Sequence, residues 1–186
     1  MSYLRRSPGA RSRPELCLVL LLVAAACSSA GDGLLRRAIV TREHVETAIS
    51  IERDLAGRYD VLPAVGESWF EIRRGTIPVI VVAGHATAQT REGAPKTADR
   101  GTGSLAIMLH EMTGATVIHT TRRSPSDPNY YDDNEFKAAL AGLIREVRPA
   151  VVLDLHASHA FRPYEIDFGT MPASHWRLVT YSAKWD

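Results

Sequence analysis

Two histidines each close an apolar run. Pro78-Val-Ile-Val-Val-Ala-Gly84 leads into His85, and Ala150-Val-Val-Leu-Asp-Leu155 leads into His156. Imidazole nitrogens are ligands for borderline metals, and two of them presented from adjacent strand ends can share one ion. A catalytic site of that type adds a carboxylate and keeps one position open. Asp99 is the candidate for that third donor, because it stands just before the first helix, where the chain returns to the strand edge. Glu92, inside the preceding loop, is the alternative. Both cysteines, Cys17 and Cys27, fall in the N-terminal segment, so any metal in the body of the chain has to be held by histidine and carboxylate.

The elements that position these residues read as β-α-β-α-β. Parallel strands are expected near 78–84, 115–120 and 150–156, with helices near 103–113 and 133–148. Leu105, Met108, Leu109 and Met112 follow helical spacing and Gly114 supplies the stop. Asp132 with Glu135 opens the second helix as an N-cap pair, Phe136, Ala139, Leu140, Leu143, Ile144 and Val147 share one face, and Pro149 ends it. Such an order builds a parallel sheet whose strand C-terminal ends gather on one edge. The expected fold is therefore α/β: a three-layer parallel or mixed sheet with flanking helices.

Upstream, residues 28–76 read as a leading helix and an edge segment. Val45, Ala48, Ile49 and Leu55 are spaced for one helical face, and Trp69–Arg74 alternates as an edge strand. Between His85 and Thr102 runs a long polar loop, the kind that carries function on this edge of a sheet. Tyr164–Thr170 reads as a fourth strand or strand-like loop, and residues 172–186 as an irregular tail.

Composition narrows the function. The chain of 186 residues is 45% hydrophobic and 23% charged, which excludes a disordered polymer, and its net charge is only +1. Four arginines sit in residues 1–27 against the single acid Glu15. The body is thus slightly acidic and offers no basic stripe to nucleic acid. Basic residues, then Leu16–Ala26, then small residues from Cys27 form a secretory signal pattern. Ala24-Ala-Ala-Cys27 also resembles the lipobox of bacterial lipoproteins, in which the cysteine is acylated. Residues 1–27 are therefore expected to be a signal peptide, with Cys27 as lipid attachment or with plain secretion. The address is the bacterial cell envelope, and the membrane is reached only through that signal or lipid.

Residues 78–171 resemble the N-formylglutamate amidohydrolase family, zinc-dependent hydrolases of a phosphorylase/hydrolase-like fold. The likeness rests on the strand ending in His85, on Ala98-Asp-Arg-Gly-Thr-Gly-Ser-Leu-Ala106 opening the helix, on Ser126-Asp-Pro-Asn129 as an Asp-x-Asn motif, and on Asp154-Leu-His-Ala-Ser158. The layout is also similar to zinc N-acetylmuramoyl-L-alanine amidases, where Asp99 falls at a glutamate and Val117–Arg122 at a strand ending in Thr-Arg. By that resemblance residues 77–171 are a zinc amidohydrolase-like core with His85, Asp99 and His156 as Zn²⁺ ligands, acting on an N-acyl amino acid. A peptidoglycan amidase or zinc carboxypeptidase-like enzyme is the alternative within the hydrolases. A non-catalytic envelope binding lipoprotein is the alternative outside them.

Amide hydrolysis further needs a proton carrier and a grip on a small-molecule or peptide amide substrate. Glu92 and Glu165 are candidates for the first. Arg122, Arg123 and Arg162 are candidates to clamp a substrate carboxylate. Asp154 faces the same side of its strand as His156 and either orients that ligand or is a buried strand acid. Asp127 and Asn129 are expected to fix the loop after the third strand, and His159 to be a polar loop residue. Enzymes with this layout continue well beyond the late histidine strand, whereas this chain ends 30 residues after His156. A C-terminally truncated core, slow or inactive, is the resulting expectation.

Overall fold

The computed structural model describes residues 39–158, 161, 163, 166–172 and 177–184. The chain divides at Thr41, and every element named below belongs to the unit Arg42–Asp186. Residues 1–38, which include the expected signal peptide and Cys27, and also His159, Arg162 and Glu165, lie outside the described residues.

Helix α1 (Arg42–Ala56) leads into the edge strand β1 (Phe70–Arg73), then β2 (Val79–Ala83), a small hairpin β3 (Gln89–Arg91) and β4 (Ala94–Lys96), and α2 (Thr102–Thr113). There follow β5 (Thr116–Thr120), α3 (Glu135–Val147), β6 (Val151–Ser158), β7 (Ile166–Pro172) and β8 (Arg177–Lys184). Six strands form one mixed sheet in the order β1-β5-β2-β6-β8-β7. Strands β5, β2, β6 and β8 are parallel, and β1 and β7 run antiparallel at the two edges.

β2 is buried on both faces, which is why its sequence is an unbroken apolar run rather than an alternating one. Ile80 and Val82 join Trp69, Ile118, Phe136, Leu143 and Val152 on the α3 side, where Trp69 stacks on Phe136 with ring centroids 5.9 Å apart. Val81 and Ala83 join Ala86, Ala106, Val117 and Leu155 on the α2 side. Two apolar clusters on opposite faces of one sheet make three layers.

This arrangement fixes where a site can form. The chain goes from β2 through α2 to β5 on one side, then through α3 to β6 on the other. β5 and β6 thus lie on either side of β2, and the strand order reverses between β2 and β6, the switch point at whose C-terminal strand ends ligands bind in open α/β sheets.

Several local expectations are corrected. α3 is capped by Asn134, whose side chain accepts from the Lys137 amide at 2.9 Å, while Asp132 instead pairs with the Lys137 ammonium at 2.6 Å. Val45 and Ile49 of α1 are exposed, at 48% and 45%, so the helix does not bury the face its apolar spacing implied. It buries Leu55 and turns Glu52 inward, where Glu52 Oε1 accepts from the Gly101 amide at 2.8 Å and from the Tyr59 hydroxyl. The loop after His85 contains the β3–β4 hairpin, turned by Glu92 and Gly93, both at positive φ. The irregular tail expected at 172–186 is in part a strand: β8 lies between β6 and β7. Among the described residues no helix lies between β6 and β8; β7 runs back along the outer edge instead, antiparallel to β8. Among the described residues, no helix is long and apolar enough to cross a membrane.

Candidate metal centre

His85 follows β2 by two residues. The register pairs Val82 with Asp154, so counting two residues up both strands brings Gly84 level with His156 and sets the two imidazoles side by side. Their ring centroids are 5.2 Å apart, edge to face. Asp99 is brought to the same point by the backbone, since its amide donates to the His85 carbonyl at 2.7 Å. Thr102 then anchors the Asp99 carbonyl through its own amide at 3.2 Å and its hydroxyl at 2.7 Å. Asp99 is thus a turn residue ahead of α2, whose N-cap is Gly101, and its carboxylate is turned to the histidines.

One oxygen, Asp99 Oδ2, lies 3.5 Å from His85 Nδ1 and 3.0 Å from His156 Nδ1. The opposite nitrogen of each ring is held by a second carboxylate. His85 Nε2 is 2.8 Å from Asp127 Oδ1, and His156 Nε2 is 3.2 Å from Asp154 Oδ2. The Asn129 side-chain amide also stands 2.8 Å from His156 Nε2, and with Nε2 protonated toward Asp154 the amide serves there with its oxygen turned to accept. Both Nδ1 atoms therefore aim inward at a shared carboxylate, and both Nε2 atoms are gripped from outside.

The charges follow. Burial opposes ionisation of Asp99, but hydrogen bonds from His156 and His85 outweigh it and hold the carboxyl at about 2. Burial likewise disfavours the His156 cation, yet Asp154 and Asp99 push it up to about 10. His85 is raised in the same sense, Asp99 and Asp127 overcoming its burial. Asp127 is fully buried, but His85, Arg91 and the Asn129 amide keep it ionised and its pKa low. Both imidazoles are thus shifted toward the protonated form by their carboxylates, and a metal bound at the same nitrogens would displace those protons.

His85, Asp99 and His156 form a group that could hold a metal ion, with one donor atom from each within 4.8 Å of the others. Donors about 2.0–2.1 Å from a tetrahedral ion stand roughly 3.3 Å apart, and the two separations from Asp99 Oδ2, 3.0 and 3.5 Å, bracket that. The donor chemistry fits as well. A carboxylate on the outward N–H fixes the tautomer that turns a lone pair toward the metal, and both rings have one.

No family model, no curated protein and no solved structure matches this chain. The site is therefore read from its own geometry.

The remaining sequence candidates separate into those at the centre and those away from it. Asp127 and Asn129 do shape the loop after β5, since Asp127 Oδ1 accepts from the Asn129 and Tyr130 amides at 2.9 and 3.1 Å, but they also grip the two histidines. Asp154 is a partner of His156 rather than an idle strand acid. Glu92 is exposed on the hairpin turn, where its carboxylate accepts from the Tyr130 hydroxyl at 2.7 Å and its amide donates to the Tyr131 oxygen at 2.9 Å. It is not one of the acids paired with the two rings; among the described residues those are Asp99, Asp127 and Asp154. Arg122 pairs with Glu67 at 2.8 Å, and the Arg123 amide binds the Val61 carbonyl at 2.8 Å. Neither guanidinium is paired with an acid of the cluster.

Sequence reasoning missed Arg91. Its Nε and terminal nitrogen lie 2.8 and 2.6 Å from Asp127 Oδ2, and its guanidinium stacks 4.8 Å over the Tyr130 ring. The only available signal was its place one residue before the Glu92-Gly93 turn.

Proposed function

We propose that the chain is a zinc-dependent amidohydrolase acting on an N-acyl amino acid, of the N-formylglutamate amidohydrolase kind. One observation carries the reading: two inward Nδ1 atoms and one carboxylate oxygen meet at the sheet switch point, each ring backed by its own carboxylate. A His₂-carboxylate set with no thiol suits zinc in a hydrolytic role. Bound there, zinc supplies Lewis-acid polarisation of an acyl carbonyl and acidification of water.

The chain's own residues do the rest. His85, His156 and Asp99 hold the ion. Asp127 and Asp154 retain the outward protons and keep the rings from turning. Arg91, joined through Asp127 to His85, brings a guanidinium to the same edge for a substrate carboxylate, the role the sequence had assigned to Arg122, Arg123 and Arg162. An envelope address through residues 1–27, with Cys27 as lipid attachment, belongs to the same proposal. A Cys27→Ser variant of a lipoprotein leaves the membrane fraction, whereas that of a simply secreted protein is unchanged.

The zinc-loaded chain should release formate from N-formylglutamate, and the activity should vanish with a chelator and return with zinc. A muramoyl-peptide fragment assayed in parallel separates the peptidoglycan amidase alternative. A folded chain with stoichiometric zinc that neither cleaves nor binds either compound overturns the hydrolase reading.

A further inference from the structure

A second site lies away from the metal centre, on the face of the sheet that carries α1 and α2. A cavity of about 660 Å³ opens there, with residues of α1, α2, β1 and β5 in its walls. Among them is His119, only 1% exposed. Its Nδ1 stands 3.2 Å from the Thr120 carbonyl and can only donate to it. Nε2 has no partner.

Glu71 sits directly opposite His119 in the β1–β5 ladder, so both side chains share this face. Its Oε2 is 3.8 Å from His119 Nε2, beyond hydrogen-bonding range. A protonated Nε2 would lack an acceptor and a neutral one lacks a donor, so the ring is unsatisfied in either state. Burial favours the neutral ring. A lone pair and a carboxylate then face one another with no hydrogen between them, a vacancy for a donor rather than an acceptor.

The surroundings select the kind of donor. The lining carries Glu43, Asp54, Glu71 and Glu111 against Arg58 and Arg73. Arg58 pairs with Asp54, and Arg73 with Glu71 Oε1 at 2.9 Å and Glu111 at 3.6 Å. The acids still outnumber the arginines and Glu71 turns its other oxygen, Oε2, to His119, a balance that favours a cation over an anion. A metal ion is poorly served, because among the described residues no third donor joins His119 and Glu71 to complete a ligand set. An ammonium nitrogen about 2.9 Å from each acceptor would span their gap with roughly 80° between its two hydrogen bonds. Ile107, Met108 and Met112 of α2 supply an apolar wall beside it.

We propose that this cavity binds a small primary amine as its ammonium ion, donating to His119 Nε2 and Glu71 Oε2 with its alkyl body against Ile107, Met108 and Met112. The test is a titration of the full, zinc-loaded chain with n-butylammonium, and with n-butanol as the uncharged comparison, read from the imidazole ¹⁵N resonances. Saturable binding should move the His119 Nε2 resonance, and n-butanol should bind about tenfold or more weakly, since it forgoes the charge-assisted bond. His119→Phe removes the acceptor and Glu71→Gln removes the charge, and each should weaken the amine to the same degree. Glu71 is exposed, so E71Q keeps the test decisive even if H119F fails to fold. Stripping the zinc should leave amine binding unchanged, which separates this site from the metal centre. Absence of a saturable His119 shift, equal affinity for butanol, or full affinity in folded E71Q would overturn the proposal.

Discussion

Replacing Asp127 with Asn tests the idea that a negative charge held on the far nitrogen of His85 makes that ring a metal ligand. Asp127 is fully buried, and its two oxygens receive five donors: His85 Nε2, two nitrogens of Arg91, and the amides of Asn129 and Tyr130. Asparagine keeps one oxygen for the loop amides and for His85, but it sets an NH₂ against the Arg91 guanidinium and removes the negative charge. Loss of such an outer carboxylate costs about 10–100-fold in metal affinity, which is roughly 1.4–2.7 kcal/mol. The same change leaves Arg91 without its acceptor and should lower folding stability by about 1–3 kcal/mol. Zinc affinity measured by competition with a chromophoric chelator, alongside urea unfolding of the metal-free chain, reads the two effects separately. Arg91→Met provides the control, since it spares the His85 bond and should cost less affinity than Asp127→Asn. A folded D127N that binds zinc as tightly as the parent would refute the reasoning, because the Asp127 charge would then add nothing to His85 as a ligand.

Further outcomes follow from the same geometry. In the chelator-treated chain, the His156 pair contributes stability that is fully present below its unfolded pKa of about 6.5 and is lost as pH rises through about 10. The urea midpoint should fall over that window without zinc, and a flat alkaline profile would contradict the ion-paired site. Asp99 works in the opposite sense: its share is present above an unfolded pKa of about 3.9 and disappears as pH falls toward about 2, so acid unfolding of Asp99→Asn should begin from a less stable protein and show a shallower slope. Gly103→Ala places a methyl 2.8 Å from Leu55 Cδ1 and 2.9 Å from Ala86 Cβ. Overpacking of this kind costs about 1–3 kcal/mol, more than the helix propensity gained, and because Ala86 adjoins His85 the variant should also bind zinc less tightly; unchanged stability and affinity would show that this contact is slack.

The parts of the fold that the sequence discloses are those with a local cause. β2 and β5 are buried on both faces, β6 buries Val152 and Leu155 with its other residues half-buried, α3 shows its core face as Phe136, Ala139, Leu140, Leu143, Ile144 and Val147, and a polar residue closing an apolar strand run marks the sheet edge. His85 and His156 could be named for that reason, and Asp99 because it stands just before the helix that returns the chain to that edge. The grip on them could not, since Asp127 reaches His85 across 42 positions and Arg91 lies in a hairpin of three-residue strands too short to show a period. In α1 a half-buried carboxylate decided the matter: Glu52, engaged by the Gly101 amide and Tyr59, orients the helix and leaves Val45 and Ile49 outside. Asp132 and Asn134 were both chemically competent caps, and only the site of the first helical turn distinguishes them. β8 went unread because a parallel strand was expected to follow a helix, and here an antiparallel edge strand delivers it.

The most direct measurement is the zinc content of the purified chain by elemental analysis, set against that of the His85→Ala, His156→Ala double variant. A single equivalent per chain in the parent, and none above background in the folded double variant, is the result this site requires. A full equivalent retained without both imidazoles would place the metal elsewhere and remove the basis for the proposed hydrolase.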